Sequence, residues 1–282
     1  MAPSWRLTPR QLDQVWESLD LDGYPFPLEV RSHGDTVEER AEIRRRVAAE
    51  LRSTGLLRGD QLDPDLEDAL RALARPTLWL DAVWLPEPTA VSPFRMIAVH
   101  GRDGALVAVQ VPGESEHHGG DLHVEHVPSV DAATAVVERL PAAPPGPRRA
   151  VSLPAAALAP SDQRRRADDD EFGGVLSAVH HVDTAARERR AYDEIMNQPR
   201  TRGGQIAANA VDPLGRRHRS AVLSWFDVDP PGRYALHGDP GPRRIGVDHG
   251  RPRRPGPPAR PAPRDGSERP ATPLGPALKA RS

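Results

Sequence analysis

Residues 77–127 carry four strand patterns in succession, separated by turns and loops and not by helices. Residues 94–100 and 105–111 are joined by the tetrad Gly-Arg-Asp-Gly, which is typical of a β-hairpin. Residues 77–85 are apolar on both faces, which predicts a sheet that is covered on both sides or keeps one face for a partner. The segment predicts a meander of antiparallel strands, with residues 122–127 as its last strand.

Three helices precede this meander, and each has a start signal. Residues 8–11 form a capping box, with threonine as N-cap, proline at the first helical position and glutamine at the third. Residues 35–36 and 63–64 start the second and third helices, which end near Gly55 and before Pro76. Residues 28–30, between the first two helices, are expected to form a short extended piece.

The second half of the chain repeats the order of helix and meander. A helix is predicted over residues 183–197, and strands over residues 205–211, 221–227 and 233–236. This repetition predicts a pseudo-twofold α+β domain. Its boundaries are residues 1–238, with an N-terminal half 1–140, a proline-rich linker 141–147 and a C-terminal half 148–238.

The last 44 residues have a different composition. From Asp239 to Ser282, eleven of the 44 residues are proline, arginine dominates and hydrophobic periodicity is lost. Such a segment buries too little apolar surface to offset the entropy of ordering it. We predict a disordered Pro/Arg-rich tail over residues 239–282.

Composition and charge argue against several functions. The chain has no cysteine, so disulfides and thiolate metal sites are excluded. It has no run of about 18 apolar residues and no apolar run at its start, which predicts a cytoplasmic protein without membrane insertion. The net charge is −2, although the tail is basic. The acidic body argues against nucleic acid as a partner, and binding through the basic tail is the alternative.

The histidine-rich segment is the strongest candidate for chemistry. His117, His118, His123 and His126 lie among carboxylates, a mixture that suits Zn²⁺ or a similar ion. In a strand over residues 122–127, however, His123 and His126 point to opposite faces and cannot bind one ion. We predict no metal site and no cofactor. A metal-binding protein or hydrolase that uses this segment is the alternative.

Other catalytic motifs are missing. Residues 202–205, Arg-Gly-Gly-Gln, lead into a predicted strand and lack the rest of a phosphate-binding loop. Gly203 and Gly204 are therefore predicted to allow a turn or a close approach of backbone. Neither G-x-S-x-G nor H-E-x-x-H occurs. We predict no catalytic residue and no enzymatic activity.

Several segments, taken in order, resemble the EspG family. Residues 24–40, which begin Tyr-Pro-Phe-Pro-Leu-Glu-Val, look like the N-terminal signature of the family. The further matching segments are residues 62–66, 73–76, 203–206, 212–217, 224–227 and 232–234. Together they extend over about residues 5–237. Family members usually continue into a closing helix, and the sequence from Asp239 onward does not match one.

The resemblance implies a central antiparallel sheet flanked by helical bundles from each half. It also implies a cytosolic chaperone of type VII (ESX) secretion in actinobacteria. Such a chaperone binds PE–PPE-like or WXG-type substrates and covers their hydrophobic tip without a cofactor. The sequence leaves open which substrate is bound and whether the chain forms a homodimer.

The resemblance also implies where a partner binds. Binding in the family involves the central sheet, the loop between its second and third strands and the C-terminal helical region. With residues 28–30 as the first strand, that loop is residues 86–92, whose two prolines reduce the entropy lost on docking. The predicted partner-binding residues are Trp79, Trp84, Pro86, Glu87, Pro88, Thr89, Trp225 and Phe226.

Overall fold

One antiparallel sheet of eleven strands forms the centre of the structure, and helices pack against it. The computed structural model describes residues 2–154, 175–238 and 244–248, and for residues 175–183, 185 and 244–248 it describes the backbone alone. The N-terminal half contains β1 (Ser4–Leu7), α1 (Pro9–Ser18), α2 (Val37–Ser53), β2 (Leu57–Arg58), β3 (Gln61–Leu62), α3 (Pro64–Ala74), β4 (Leu78–Leu85), β5 (Phe94–His100), β6 (Gly104–Gln110), β7 (Leu122–Pro128) and α4 (Ala132–Arg139). The C-terminal half contains β8 (Val151–Pro154), α5 (Val175–Met196), β9 (Arg200–Val211), β10 (Arg217–Arg219), β11 (Leu223–Val228), β12 (Gly232–Gly238) and β13 (Arg244–Asp248).

The strand order has an internal symmetry. It runs β1-β7-β6-β5-β4-β9-β11-β12-β13-β8, and β10 pairs with β9 beside this path. Each half begins with a short edge strand, continues with one or more helices and then forms a meander of strands. The first strand of the meander lies at the centre of the sheet, and its last strand pairs with the edge strand. The first meander strands of the two halves, β4 and β9, pair antiparallel at the centre. The predicted pseudo-twofold α+β fold is confirmed.

The sheet has two faces with different covers. The first face carries Ile97, which belongs to the core that α1, α2 and α3 form over the N-terminal half. On the same face of the C-terminal half, Ile195 of α5 packs with Phe226 and Tyr234. The second face carries Trp84, which belongs to the core that α4 forms over the N-terminal half. Both faces of the N-terminal half are therefore covered by helices.

The predicted helix starts are correct because local hydrogen bonds satisfy the first backbone N–H groups. Thr8 and Thr36 both form complete capping boxes, with Gln11 and Glu39 at the third helical positions. The Asp63 side chain accepts a hydrogen bond from the backbone N–H of Leu66 at 3.0 Å and starts α3.

Residues 28–30 are not a strand, contrary to the prediction. The side chain of Gln110 binds this segment instead: its oxygen accepts from the Glu29 N–H at 3.0 Å, and its amide donates to the Glu29 carbonyl at 2.9 Å. The edge strand is β1, which the sequence analysis missed and which pairs with β7. The loop over residues 86–92 consequently lies between β4 and β5, the fourth and fifth strands of the chain.

The prediction that the chain is disordered from Asp239 onward is wrong for five residues. Arg244–Asp248 form β13, which pairs with β12 on one side and β8 on the other. The rest of the predicted tail, residues 239–243 and 249–282, lies outside the described residues. The predicted linker is packed against the domain, since Arg233 exchanges backbone hydrogen bonds with Pro144 and Gly146 at 2.8 and 2.9 Å.

Candidate functional site

The centre of the first face lies between two helical layers and has an open surface. Val83 and Leu85 of β4 and Gln205 of β9 point to this face. They line two adjoining cavities of about 1010 and 410 Å³, which share Leu85 and Gln205. We call this pair of cavities the central trough; it is defined by Phe26, Val83, Leu85, Val91, Gln205 and Phe226.

Large apolar side chains stand exposed at the rim of the central trough. Phe26 is 61% exposed, and Val91, in the loop between β4 and β5, is 73% exposed. Ser92 anchors the end of this loop, because its buried hydroxyl accepts a hydrogen bond from the Gly113 N–H at 3.0 Å. Exposed apolar groups beside an apolar depression are typical of a protein-binding surface.

A polar cluster beside the trough joins the two halves at the sheet centre. Asp81 of β4 is buried and accepts two hydrogen bonds from the guanidinium of Arg219, at 2.6 and 2.9 Å. Asn209 of β9 donates to the same carboxylate at 2.6 Å and accepts from Arg219 at 2.9 Å. The Arg219 guanidinium also lies 5.5 Å from the centre of the Phe26 ring. Asp81 and Asn209 are buried and hydrogen-bonded to the exposed Arg219, so the cluster holds Arg219 beside the rim residue Phe26.

The structure divides the predicted partner-binding residues among three places. Trp84 and Trp225 lie on the second face, each 4% exposed, in the core. Gly204 lies between them on β9, and a Cβ there would be 2.5 Å from the Trp84 Cβ. The close approach predicted for the glycines is therefore confirmed at Gly204, within a strand and not at a turn.

The other predicted residues lie on the first face or in its loop. Trp79 is half-buried and lines a third cavity, of about 880 Å³, next to the trough. The four predicted residues of the loop are all exposed. Two of them, Glu87 and Pro88, line the smaller cavity of the trough together with Phe226. The residues in this exposed loop are Pro86, Glu87, Pro88 and Thr89.

A second polar cluster stabilises the second face of the C-terminal half. The buried Asp227 carboxylate accepts hydrogen bonds from Arg233 at 2.7 and 2.9 Å and from Arg202 at 2.5 Å. Both guanidiniums also donate to linker carbonyls, Arg202 to Ala142 and Arg233 to Pro141. Arg233 in addition lies 4.2 Å from the centre of the Trp225 ring. The cluster attaches the linker to the sheet.

The histidines of the metal-binding alternative are dispersed. In β7, His123 and His126 point to opposite faces, as strand parity predicts. His118 Nδ1 lies 3.0 Å from the Ser115 hydroxyl, and His117 is exposed beside Glu116. Within residues 2–154, 175–238 and 244–248, no three His, Cys, Asp or Glu side chains are grouped so that they could hold a metal ion.

Sequence reasoning missed most of the trough residues. Phe26 lies between two prolines in a segment without helix or strand periodicity, and only its exposure marks it. Val83 and Leu85 fit a buried strand as well as an open one, since strand patterns do not show where the covering helices end. The loop between β4 and β5 was identified from the resemblance to the EspG family, and its two prolines only suggested a low entropy cost of docking.

An antiparallel sheet with an open apolar trough and exposed apolar rim residues is typical of a protein that binds another protein. None of the helices in the described part of the chain is apolar over the length that a bilayer crossing requires. The EspG family model matches residues 8–248, and the chain belongs to the EspG family.

A solved structure has the same fold. It is the structure of the Mycobacterium tuberculosis type VII secretion system chaperone EspG5 in complex with PE25-PPE41 dimer. The TM-score is 0.61 at 16% sequence identity, and the match covers 89% of this chain and 92% of that chain. Among curated proteins, none matches this sequence significantly.

Proposed function

We propose that this chain is a cytosolic chaperone of type VII secretion, without catalytic activity, that binds a PE–PPE-like or WXG-type substrate pair in the central trough. Membership of the EspG family supports the class of function. The shared fold with a chaperone whose structure contains a bound PE–PPE dimer supports the class of partner.

The exposed apolar rim of the trough is the observation that carries the proposal. Phe26 and Val91 are both largely exposed, and they line the same cavity as the apolar side chains of Val83 and Leu85. Exposing such groups to water is unfavourable, and covering them against a second apolar surface releases that cost on both sides. A substrate with a hydrophobic tip gains solubility by the same contact.

The predicted partner-binding residues contribute in three ways under this proposal. Glu87 and Pro88 are exposed and line the trough, so they contact the partner directly, whereas Phe226 lines the same cavity but is only 5% exposed and supports its floor. Trp84 and Trp225 are buried on the other face and act through the shape of the sheet. Pro86 and Pro88 restrict the loop, so less entropy is lost when the loop is ordered against a partner.

Purification from the encoding organism tests the proposal. A tagged full-length chain is expected to co-purify, under native conditions, with a helical PE–PPE-like or WXG-type pair in a one-to-one complex identified by mass spectrometry. The Val91→Asp variant is expected to lose this pair, because a charge at the rim opposes desolvation of the trough. Absence of any such pair from the wild-type preparation contradicts the proposed function.

A further inference from the structure

The end of the central trough that belongs to the N-terminal half carries exposed carboxylates. Glu29, Glu114 and Glu116 all line the larger cavity, and all three residues are exposed. In the described part of the chain, Glu29 and Glu114 form no ion pair within 4.0 Å, and Glu116 lies 3.3 Å from the neighbouring His117. Their charges are accessible from the trough.

A buried arginine below these carboxylates supports the loop that carries two of them. Arg95 is 4% exposed, and its guanidinium donates to the backbone carbonyls of Pro93, at 3.3 Å, and Glu116. Burial lowers the pKa of Arg95, and the charge of Glu29 opposes that effect. No carboxylate of the described residues lies within 4.0 Å of this guanidinium. Arg95 therefore holds the loop through hydrogen bonds to backbone carbonyls and does not pair with the carboxylates of Glu114 and Glu116.

The opposite end of the trough carries both signs of charge. Arg200 is exposed and lies 4.8 Å from the centre of the Phe226 ring. Glu87 lines the same cavity, and Arg202 is bound to Asp227. Only the N-terminal end therefore has a clear excess of one charge.

We infer that the trough binds its partner in one orientation, with a lysine or arginine beside the partner's apolar segment placed against Glu114 and Glu116. The inference rests on the proposed function, since it concerns the same surface. Charges at the edge of an apolar contact are partly shielded from solvent, so complementary charges there fix orientation and raise the association rate. A partner placed the other way round sets its basic group beside Arg200 and loses this attraction.

The double variant Glu114→Lys/Glu116→Lys tests the inference. Its probe is the substrate pair that co-purifies with the wild-type chain, titrated by calorimetry at several salt concentrations. We expect binding about tenfold weaker at an ionic strength of about 0.05 M, with part of the loss recovered as salt screens the repulsion. Wild-type binding is expected to weaken with salt.

Asp68→Lys/Glu138→Lys is the matched control, because it changes net charge equally at two exposed residues on α3 and α4, outside the trough. It is expected to bind as the wild type does. Equal weakening by the control overturns the inference, since it indicates a general charge effect.

The outcome for Val91→Asp separates this inference from the proposed function. If Val91→Asp abolishes binding while Glu114→Lys/Glu116→Lys binds normally at all salt concentrations, the orientation inference is wrong and the trough remains the binding site. If neither variant changes binding, both are wrong. Recovery of binding when the partner's basic residue is changed to glutamate, in the Glu114→Lys/Glu116→Lys background, supports the inference directly.

Discussion

The two halves of the molecule repeat one strand order but cover it differently. In the N-terminal half, helices α1 to α3 cover the first face and α4 covers the second, so the sheet lies inside an apolar sandwich. In the described C-terminal half, α5 covers the first face, and the second face is stabilised by Asp227, its two arginines and the linker. The same topology is therefore compatible with an apolar cover and with a buried ionic one.

The difference also explains where the open surface lies. The helical layers of the two halves pack over the outer strands of the first face, and the central trough lies over β4 and β9 between them. The duplicated fold therefore leaves its open surface at the junction of the two repeats. We expect the core residues to determine stability and the junction residues to determine binding.

The largest effect on stability is expected in the apolar sandwich of the N-terminal half. Trp84→Ala removes a buried indole that stacks on Phe94 at 5.0 Å and leaves a cavity, so we expect a loss of about 3–5 kcal/mol in the free energy of unfolding. Urea denaturation measures this loss. Leu78→Ala is the control on the same strand and face, and its side chain is partly exposed. A loss below about 1 kcal/mol for Trp84→Ala contradicts the sandwich account.

A smaller effect is expected from the ionic cover of the C-terminal half. Asp227→Asn leaves Arg202 and Arg233 without their carboxylate, and we expect a loss of about 2–4 kcal/mol in the free energy of unfolding. Replacing all three residues together by apolar ones is expected to cost less than Asp227→Asn, because no buried charge then lacks a partner and only the hydrogen bonds to the linker carbonyls are lost. If Asp227→Asn is as harmless as Glu138→Gln on the exposed side of α4, the C-terminal half does not depend on this cluster.

The junction between the halves is expected to tolerate little added volume. Gly204→Ala places a methyl group 2.5 Å from the Trp84 Cβ and the Val83 carbonyl oxygen. We therefore expect a loss of about 1–3 kcal/mol in the free energy of unfolding. Gly238→Ala on β12 is the matched control, since a Cβ there lies more than 4 Å from the described residues. Thermal unfolding of both variants decides the point: equal melting temperatures mean that the junction is not tightly packed.

The smallest effect is expected at a helix terminus of the N-terminal half. Thr36→Ala removes the hydroxyl that accepts a hydrogen bond from the Glu39 N–H at 3.1 Å. We expect a loss of about 1 kcal/mol in the free energy of unfolding. Thr36→Ser keeps the acceptor and is expected to retain most of the stability. Equal losses for alanine and serine, measured by urea denaturation, indicate that the threonine methyl group and not the cap matters here.

Much of the fold follows from local signals in the sequence. The caps at Thr8, Thr36 and Asp63 start the helices that the structure shows, and the tetrad of residues 101–104 joins β5 to β6. The strand β1 was missed because its partner is more than 100 residues away, and a four-residue edge strand has almost no pattern of its own. The strand β13 was missed because it is only five residues long and lies within a Pro/Arg-rich segment, although Ile245 and Val247 alternate as strand residues do.

The candidate site was less predictable than the fold. Its loop over residues 86–92 was identified from the resemblance to the EspG family, but with the wrong strand count, because residues 28–30 look extended and are bound by a side chain of the sheet. Trp84 and Trp225 were predicted to bind a partner because they are tryptophans on strands. Successive strand residues point to opposite faces, so both lie on the face opposite to Val83 and Phe226 and are buried there. Which parts of a face stay open depends on where packed helices end, and no local pattern records that.

The affinity of Val91→Asp for the co-purified substrate pair tests the central claim most directly. Its matched control is Leu214→Asp, which makes the same kind of change at a residue that is 78% exposed in the turn between β9 and β10, away from the trough. Neither change is expected to alter stability by more than about 0.5 kcal/mol, since both side chains are exposed. We predict at least about tenfold weaker binding for Val91→Asp and wild-type binding for Leu214→Asp. Wild-type affinity for Val91→Asp, or equal weakening by both variants, contradicts the assignment of the central trough as the binding site.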